Sequence, residues 1–277
     1  MDREIARVHG VIRRGPSEQV HDKQLVFPPD GYGSTTPFLM LSEDWFAAPR
    51  GFETHPHRGM QTVTFVLEGA LEHRDHTGGH GVLHAGDVQW MTAGRGVMHS
   101  EMPYRNEMAH TLQLWLNLPA RLKMTRARYV NQRAADVPVR RIDGTEVRLY
   151  AGRSCDVAQP HGSDWPMMLV DIRIEAGKSF TQELPADHRG FIYVLAGTGR
   201  FGGKQVPVAT TQVAWLDPSP GDGTDTVTIS AEAPLRALLF ASPPINEPVA
   251  FGGPFVMNTE AEVRQAFMDF RSGSFLG

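Results

Sequence analysis

Two short segments of the chain each carry a pair of side chains that can bind a metal ion. His55 and His57 form the first pair, and His99 and Glu101 form the second. Residues i and i+2 of a β-strand point to the same face, so each pair would present both of its side chains together. If the two strands face each other, the four side chains form one metal site with three imidazoles and one carboxylate.

This donor set restricts the metal and the reactions that it could support. Three neutral imidazoles and one carboxylate suit Fe, Mn, Co, Ni, Cu or Zn, and they leave a divalent ion with a net positive charge that attracts an anionic ligand. An ion that prefers about six ligands keeps open positions for an oxidisable substrate and dioxygen, or for a bidentate substrate alone. A structural polar cluster and a degenerate site are the alternatives, but two correctly spaced pairs lead us to expect a metal.

The rest of the chain is punctuated by turn residues. Of 277 residues, 28 are glycine and 20 are proline, and they separate short apolar runs instead of gathering in one linker. The runs are rich in Val, Leu, Phe, Tyr and Trp, which predicts short β-strands in an all-β sandwich or barrel. The predicted strands are Met60–Leu67, Ala70–Arg74, Asp87–Met91, Thr111–Asn117, Met168–Ile174, Gly190–Leu195, Gln212–Leu216 and Leu235–Ala241.

A weak internal repeat indicates that this architecture occurs twice. The sequence FVLEG at 65–69 is answered by YVLAG at 193–197. We therefore predict an N-terminal barrel with the metal site over residues 1–130 and a C-terminal barrel over residues 131–277. The polar segment 121–164 is the expected connection between them.

One helix is predicted, near the carboxyl end of the chain, over residues 259–271. Thr259 and Glu262 have the spacing of a capping box, and Gly273 is a suitable stop. Apolar residues recur on one face of the helix, at Val263, Ala266, Phe267 and Phe270. We expect this face to pack on a barrel, and the alternative is a helix that binds a partner protein.

The composition narrows the classes of partner. Lys and Arg total 27 and Asp and Glu total 31, so the net charge of −4 gives no basic surface for direct nucleic-acid binding. Cys155 is the single cysteine, and the charged start MDREIARVHG differs from a signal peptide. No apolar run approaches the roughly 18 residues of a membrane helix. We expect a cytoplasmic, monomeric protein that does not enter a membrane.

Longer stretches of the sequence resemble a known family. The segment HPHRGMQTVTFVLEGALEHRDHTGGHGVLHAGDVQWMTAGRGVMHSEMP, residues 55–103, is similar to the signature of the pirin family. The segments QLWLNLPARLKM (113–124) and EPVAFGGPFVMNT (247–259) resemble its following strand and its carboxyl-terminal signature. The resemblance implies a bicupin, which is a chain with two cupin-type β-barrels.

The resemblance also implies a site and an activity. It places the family's metal ligands on His55, His57, His99 and Glu101, and it favours Fe(II) among the divalent metals. Bacterial pirins are described as quercetin 2,3-dioxygenases, which use O2 to open a flavonol ring with release of carbon monoxide. We therefore expect a dioxygenase for a small aromatic substrate, with Glu101 as the base that takes the proton of the flavonol hydroxyl.

Other functions remain open at this point. Eukaryotic pirins are described as transcription cofactors and some bacterial ones as regulators of metabolic enzymes. The alternative is therefore a non-enzymatic iron-binding protein that regulates or senses redox state through a protein partner. A bicupin isomerase or a storage-protein relative is a third interpretation, but neither predicts the HPHRG and HSEMP segments.

Two positions differ from the family's usual pattern. Gln61 stands where an acidic residue is frequent, and Ser42 stands where Asp is frequent. Neither position is a ligand, so these differences concern the polarity of the pocket and its substrate preference.

The second half of the chain does not repeat the ligand pairs. At the repeat offset of 128 residues, the counterparts of the four ligands are Glu183, Pro185, Val227 and Ile229. Glu183, Asp187 and His188 cluster in sequence but lack a second pair, so we expect no metal there. Four more histidines surround a predicted hairpin and are expected to face water, with the pocket rim as the alternative: His73, His76, His80 and His84.

Overall fold

The computed structural model describes residues 1–27, 32–160, 162–219 and 221–276. Its strands in the first half of the chain are β1 (Ile5–Gly10), β2 (Ile12–Arg13), β3 (Asp22–Phe27), β4 (Phe38–Phe46), β5 (Phe52–His57), β6 (Met60–Glu68), β7 (Ala70–Asp75), β8 (His80–His84), β9 (Val88–Thr92), β10 (Val97–Pro103), β11 (Ala109–Asn117) and β12 (Arg128–Gln132). Two helices are α1 (Tyr32–Thr35) and α2 (Glu260–Ser272), and 3₁₀ turns occupy Tyr104–Asn106, Ala120–Leu122 and Ala134–Asp136.

The strands in the second half are β13 (Val139–Ile142), β14 (Thr145–Ser154), β15 (Val157–Gln159), β16 (Met168–Ile174), β17 (Ser179–Pro185), β18 (Arg189–Ala196), β19 (Thr198–Phe201), β20 (Val206–Ala209), β21 (Gln212–Leu216), β22 (Thr224–Ala231), β23 (Leu235–Ser242), β24 (Ala250–Gly252) and β25 (Phe255–Met257). The chain divides into two compact units. The first barrel comprises Arg13–Ala135, Gly162–Asp164 and Ile245–Gly277, and the second barrel comprises Met1–Ile12, Asp136–His161 and Trp165–Pro244.

The first barrel is built from two antiparallel sheets. One sheet has the order β12-β9-β6-β11-β4-β3-β2, and the other has the order β5-β10-β7-β8. Apolar residues such as Phe46, Val66 and Leu83 form one core cluster, while Leu39, Met60 and Met91 belong to another. The small sheet matters most for function because it carries both predicted ligand pairs, on the adjacent strands β5 and β10.

The second barrel repeats this plan with its own core. Its large sheet has the order β1-β21-β18-β23-β16-β14-β13, with β15 also paired to β14, and its small sheet has the order β17-β22-β19-β20. Inward residues of both sheets, including Ile192 and Leu239 of the large sheet and Val227 of the small one, form a continuous apolar cluster. The predicted all-β bicupin architecture with a short C-terminal helix is confirmed.

The compact units are not the contiguous stretches 1–130 and 131–277. Strand β1 pairs with β21 and so completes the large sheet of the second barrel. The hairpin β24–β25 and helix α2 belong to the first barrel. The segment 121–164 is also not a plain connection, because β12 extends one barrel and β13–β15 extend the other. Edge strands need partners for their N–H and C=O groups, and segments distant in sequence supply them here.

All eight predicted strands are present, with ends that differ by two residues at most. The helix is confirmed, and the Thr259 side chain and Glu262 form the expected capping box. Gly273 ends the helix in the left-handed conformation, at φ 79°. Val263 and Ala266 are buried as expected, whereas Phe270 is 41% exposed. In the described part of the chain, no helix has the length and apolar character needed to cross a membrane.

The sequence repeat corresponds to one turn that occurs in both barrels. Gly69 joins β6 to β7 at φ 72°, and Gly197 joins β18 to β19 at φ 83°. A Cβ at either glycine would collide with a backbone carbonyl, that of Met108 or that of Pro234. The positive φ and the lack of space for a Cβ both require glycine, so this glycine is present at the turn in both halves of the chain.

Candidate metal centre

The two predicted ligand pairs are aligned by the pairing of β5 with β10. His99 lies opposite His55, and Val97 lies opposite His57. The register then shifts between His99 and Glu101, so that Glu101 lies opposite Phe52. This irregularity gives β5 one residue more than β10 over the same span, and such bulges redirect side chains next to functional sites.

The three histidines form one cluster. One ring nitrogen from each of His55, His57 and His99 lies within 4.8 Å of the others. The Nε2 atoms of His55 and His57 are 3.1 Å apart, and the rings of His55 and His99 have centroids separated by 4.3 Å. His57 and His99 are buried, and His55 is partly buried. Rings packed this closely through their nitrogen edges form an arrangement in which a small cation can be coordinated.

Backbone carbonyls fix the orientation of two of these rings. The Nδ1 atom of His55 is 2.7 Å from the carbonyl oxygen of Glu53, and the Nδ1 atom of His57 is 3.4 Å from that of Pro254. A carbonyl can only accept, so Nδ1 carries the proton and Nε2 carries the lone pair. Two lone pairs facing each other across 3.1 Å need a proton or a cation between them. A hydrogen bond from the second ring nitrogen to a carbonyl is the usual support of a metal-binding histidine.

His99 provides the test of whether these residues fit a metal. It is 1% exposed, and neither of its ring nitrogens has a hydrogen-bond partner among the described residues. An unsatisfied buried polar group costs on the order of 1–3 kcal/mol, so a native protein that retains one requires an explanation. Coordination of a metal through one nitrogen would provide that explanation. The residues therefore fit a metal.

The protonation states are those that a metal requires. Burial lowers the pKa of His57 to about 3, with a further contribution from the neighbouring His55. Burial also lowers the pKa of His55, and it lowers the pKa of His99 well below its usual value. All three imidazoles are therefore neutral at pH 7, which is the form that coordinates metals.

Glu101 is held beside the cluster but is not a member of the three-histidine group. It is 2% exposed, and both of its carboxylate oxygens accept hydrogen bonds: Oε1 from Thr64 Oγ1 at 3.0 Å and Oε2 from Gln113 Nε2 at 2.6 Å. Burial is the main cause that raises the pKa of Glu101. The structure thus brings three of the four predicted ligands together and keeps the fourth in a fixed position on the same strand.

Several residues that support the centre had no signal in the sequence. Trp115 presents its ring edge-on to His57, with centroids 5.1 Å apart, and its Nε1 donates to Gln113 Oε1 at 3.1 Å. Gln113 in turn donates to Glu101. Both residues lie on strand β11, which belongs to the other sheet of the first barrel and pairs with β4 and β6, so the fold and not the local sequence brings them to the ligand strands.

His73 corrects one expectation. It is 0% exposed instead of facing water, and its ring centroid lies 5.3 Å from that of His99. The reason is the position of β7, which pairs with β10 so that His73 lies opposite Glu101. The three other histidines around the hairpin β7–β8 are exposed, as predicted: His76, His80 and His84.

The second barrel has different residues at the corresponding place. Strands β17 and β22 pair without a bulge, so Gln182 lies opposite Val227, just as His55 lies opposite His99. The counterpart of His55 is therefore Gln182, and the sequence offset that placed it on Glu183 is wrong by one residue in this strand. Glu183 is exposed.

Gln182 is buried but fully engaged, since its amide oxygen accepts from Ser154 Oγ at 2.7 Å and its amide nitrogen donates to two backbone carbonyls. Among the described residues, the three histidines of the first barrel are the one group of this kind that could hold a metal. The absence of a metal site from the second barrel stays a prediction.

Comparisons with known proteins agree with the fold and the sequence signature. The pirin family model matches residues 21–116, and the model of the pirin C-terminal cupin domain matches residues 169–276. A pirin-like protein of Solanum lycopersicum is 42% identical over 86% of this chain and 81% of its own length.

Two solved structures extend the comparison. A protein of Geobacillus kaustophilus is 40% identical, with a TM-score of 0.85 over 90% of this chain and 99% of its own. A quercetin 2,3-dioxygenase of Acinetobacter baumannii is 31% identical, with a TM-score of 0.89 over 99% and 98% of the two chains. This chain belongs to the pirin family.

Proposed function

We propose that this protein is a metal-dependent dioxygenase that opens the ring of a flavonol-like substrate with O2. The observation that carries the proposal is the buried cluster of neutral imidazoles, in which two Nε2 atoms face each other and His99 has no hydrogen-bond partner among the described residues. The name of the Acinetobacter baumannii relative, a quercetin 2,3-dioxygenase, supports the choice of substrate class.

His55, His57, His99 and Glu101 are the proposed ligands, and Fe(II) is the proposed metal, with Mn, Co, Ni, Cu and Zn as alternatives of the same donor chemistry. A divalent ion bound there would attract the substrate anion, lower the pKa of its hydroxyl group and leave positions open for substrate and O2. Every other part of the mechanism depends on groups that the chain itself supplies.

Glu101 is the proposed base. Its hydrogen bonds from Thr64 and Gln113 fix the carboxylate in one orientation, which reduces the reorganisation needed when it accepts the proton of the substrate hydroxyl. Its burial keeps water from competing for that proton. Trp115 donates a hydrogen bond to Gln113 and packs against His57. It therefore helps to position both the proposed base Glu101, through Gln113, and one histidine of the cluster.

The test is simultaneous measurement of oxygen uptake and loss of quercetin absorbance by protein reconstituted with Fe(II). His57→Ala is the control for free iron, because it removes one Nε2 atom of the facing pair. We expect turnover by the wild-type protein to exceed the His57→Ala background by at least about 100-fold, because loss of a residue that merely supports a ligand already costs about 10- to 100-fold and loss of the ligand should cost more. Equal rates in the two proteins would contradict an enzyme at this centre.

If the rates are equal but only the wild-type protein retains iron, the non-enzymatic alternative becomes the better account. In that case the same centre would serve as an iron-binding regulator or redox sensor that acts through a protein partner. Iron content is common to both functions, so turnover is the measurement that separates them.

A further inference from the structure

Arg58, the residue after His57, is held by an unusually complete set of contacts. Its side chain is 5% exposed, and all three guanidinium nitrogens donate hydrogen bonds. Nε donates to the carbonyl of Arg95 at 2.5 Å, Nη1 to Asp269 Oδ2 at 2.5 Å and Nη2 to the carbonyl of Phe275 at 2.9 Å. The guanidinium carbon also lies 4.5 Å from the centroid of the Phe275 ring. This side chain is therefore fixed in one conformation.

The backbone at Arg58 is tied to the hairpin β24–β25. The carbonyl of Pro254, at the turn of the hairpin, accepts from the Arg58 N–H at 3.4 Å and lies 3.4 Å from Nδ1 of His57. The N–H of Val256 donates to the Arg58 carbonyl at 3.0 Å. A single carbonyl group therefore contacts both the ligand ring and the backbone of the next residue.

Helix α2 holds that hairpin in place. Val263 of the helix packs with Ala250 and Met257 of the hairpin. The ring of Phe255 also contacts the rings of Phe267 and Phe275, at centroid distances of 4.8 and 5.3 Å. The carboxyl-terminal segment thus forms a packed support that reaches His57 through Pro254 and reaches Arg58 directly.

Asp269 is poorly suited to its place in the helix unless it serves Arg58. It lies in the last turn of α2, where the helix dipole disfavours a carboxylate. Both of its oxygens are nevertheless engaged, Oδ2 by Arg58 and Oδ1 by Nε2 of Gln265 at 2.7 Å. The hydrogen bond from Arg58 is the main cause that holds the pKa of Asp269 below its usual value.

We propose that Arg58 and Asp269 form a positioning pair that fixes His57 for metal binding, so that the C-terminal helix sets the metal affinity of the centre. The proposal rests on the proposed metal centre. Neither residue is a proposed ligand, and both act by holding the backbone at His57. Metal–ligand distances tolerate changes of only about 0.2 Å, so a small shift of this strand end is sufficient to weaken coordination.

The test is titration of the metal-free protein with Co(II), followed by the visible absorption of the bound ion, which reports coordination geometry independently of activity. Asp269→Asn removes the ion pair, and we expect about 10- to 100-fold weaker Co(II) binding and a changed absorption band. Asp269→Glu retains a carboxylate and should recover most of the affinity. Glu260→Gln, an exposed change in the first turn of the same helix, is the matched control and should bind as the wild type does.

Thermal unfolding of the metal-free variants separates positioning from general loss of structure. If Asp269→Asn does not fold, Gln265→Ala decides, because it removes only the bond that orients Asp269 and should weaken Co(II) binding to a smaller extent. If Asp269→Asn binds Co(II) with the affinity and spectrum of the wild type, Arg58 and Asp269 do not form a positioning pair. The same result in Gln265→Ala would have that meaning if Asp269→Asn does not fold. Failure of the wild-type protein itself to bind Co(II) would instead overturn the proposed function and this inference with it.

Discussion

At the scale of single residues, Glu101 and the three histidines are held in different ways. The Nε2 atoms of His55 and His57 carry lone pairs that face each other, and neither ring nitrogen of His99 has a hydrogen-bond partner among the described residues. Both oxygens of Glu101 already accept hydrogen bonds. The histidines are therefore suited to holding a metal, and the carboxylate is suited to receiving a proton from a fixed position.

Glu101→Gln tests this division of roles. The amide keeps the shape of the carboxylate but cannot act as a base, so we expect part of the metal affinity to remain and the quercetin turnover number to fall by about 100- to 10,000-fold. Iron content and turnover measured on the same sample check the prediction. Glu68→Gln, an exposed change at the end of β6, is the matched control. Unchanged turnover in Glu101→Gln would remove Glu101 from the mechanism.

Lys123 affects the stability of the protein, because its amino group is buried and contacts no carboxylate of the described residues. It is 1% exposed, and its Nζ donates to the carbonyls of Gly59 and Val256, at 2.8 and 3.0 Å, and to Asn117 Oδ1 at 2.7 Å. Burial lowers the pKa of Lys123 to about 7. Lys123 thus connects Gly59, just after the ligand segment, to strand β25, and burial of its charged form is unfavourable.

The stability of the protein should consequently rise with pH above neutrality. Native Lys123 loses its proton near pH 7, while the unfolded chain keeps it to about pH 10.4, so the unfolded state binds more protons between these values. The free energy of unfolding then increases by up to about 1.4 kcal/mol per pH unit in that window. Urea unfolding at several pH values checks this, and Lys123→Met should lack the increase. Parallel pH profiles for both proteins would contradict the shifted pKa.

At the scale of elements, helix α2 depends on its amino-terminal cap. The Thr259 hydroxyl accepts from the Glu262 N–H at 3.2 Å, and the Glu262 carboxylate accepts from the Thr259 N–H at 2.8 Å. Thr259→Ala should lower the free energy of unfolding by about 1 kcal/mol, whereas Thr259→Ser should retain the cap and most of the stability. Urea unfolding of the two variants provides the comparison. An equal loss in both would show that the hydroxyl is not the cause.

The elements also show where sequence reasoning succeeds and where it fails. The spacing of His55 and His57 was sufficient to predict that both side chains share one face, because side-chain alternation is a local property of strands. Their meeting with His99 also required the pairing of β5 with β10, which the sequence analysis could only assume. The counterpart of His55 in the second barrel was placed one residue too far along, because the bulge in β5 depends on the partner strand β10. Such a bulge has no reliable signal in one strand's own sequence.

At the scale of the whole molecule, the ends of the chain were the least predictable part. Strand β1 completes the second barrel, and α2 supports the first, although each is distant in sequence from most of its unit. Repeats and composition cannot reveal such pairings, since the contacts join residues more than about 200 positions apart, such as Arg3 with Asp225. The burial of His73 was missed because it depends on the pairing of β7 with β10, which the sequence of β7 alone does not reveal.

Arg3 anchors the amino-terminal segment to the second barrel. Its side chain is 1% exposed, donates to Asp225 Oδ2 at 3.3 Å and donates to the carbonyls of Ala186, His188 and Asp217. Arg3→Ala leaves three carbonyls without their donor and removes one of the two cations beside Asp225, the other being the amino terminus of Met1 at 3.1 Å, so we expect a loss of about 1–3 kcal/mol in the free energy of unfolding. Arg7→Ala, an exposed change on β1, is the control and should cost less than about 1 kcal/mol. Urea unfolding that shows similar losses for both would contradict this anchoring role.

The central claim, a dioxygenase at the histidine cluster, is tested most directly by turnover of quercetin under ¹⁸O₂ with mass analysis of the product. We expect both labelled oxygen atoms of one O2 molecule to enter the products of ring opening when the wild-type protein carries Fe(II), and no labelled product above background with His57→Ala. Oxidised quercetin without label, or the same labelling with His57→Ala, would contradict the account.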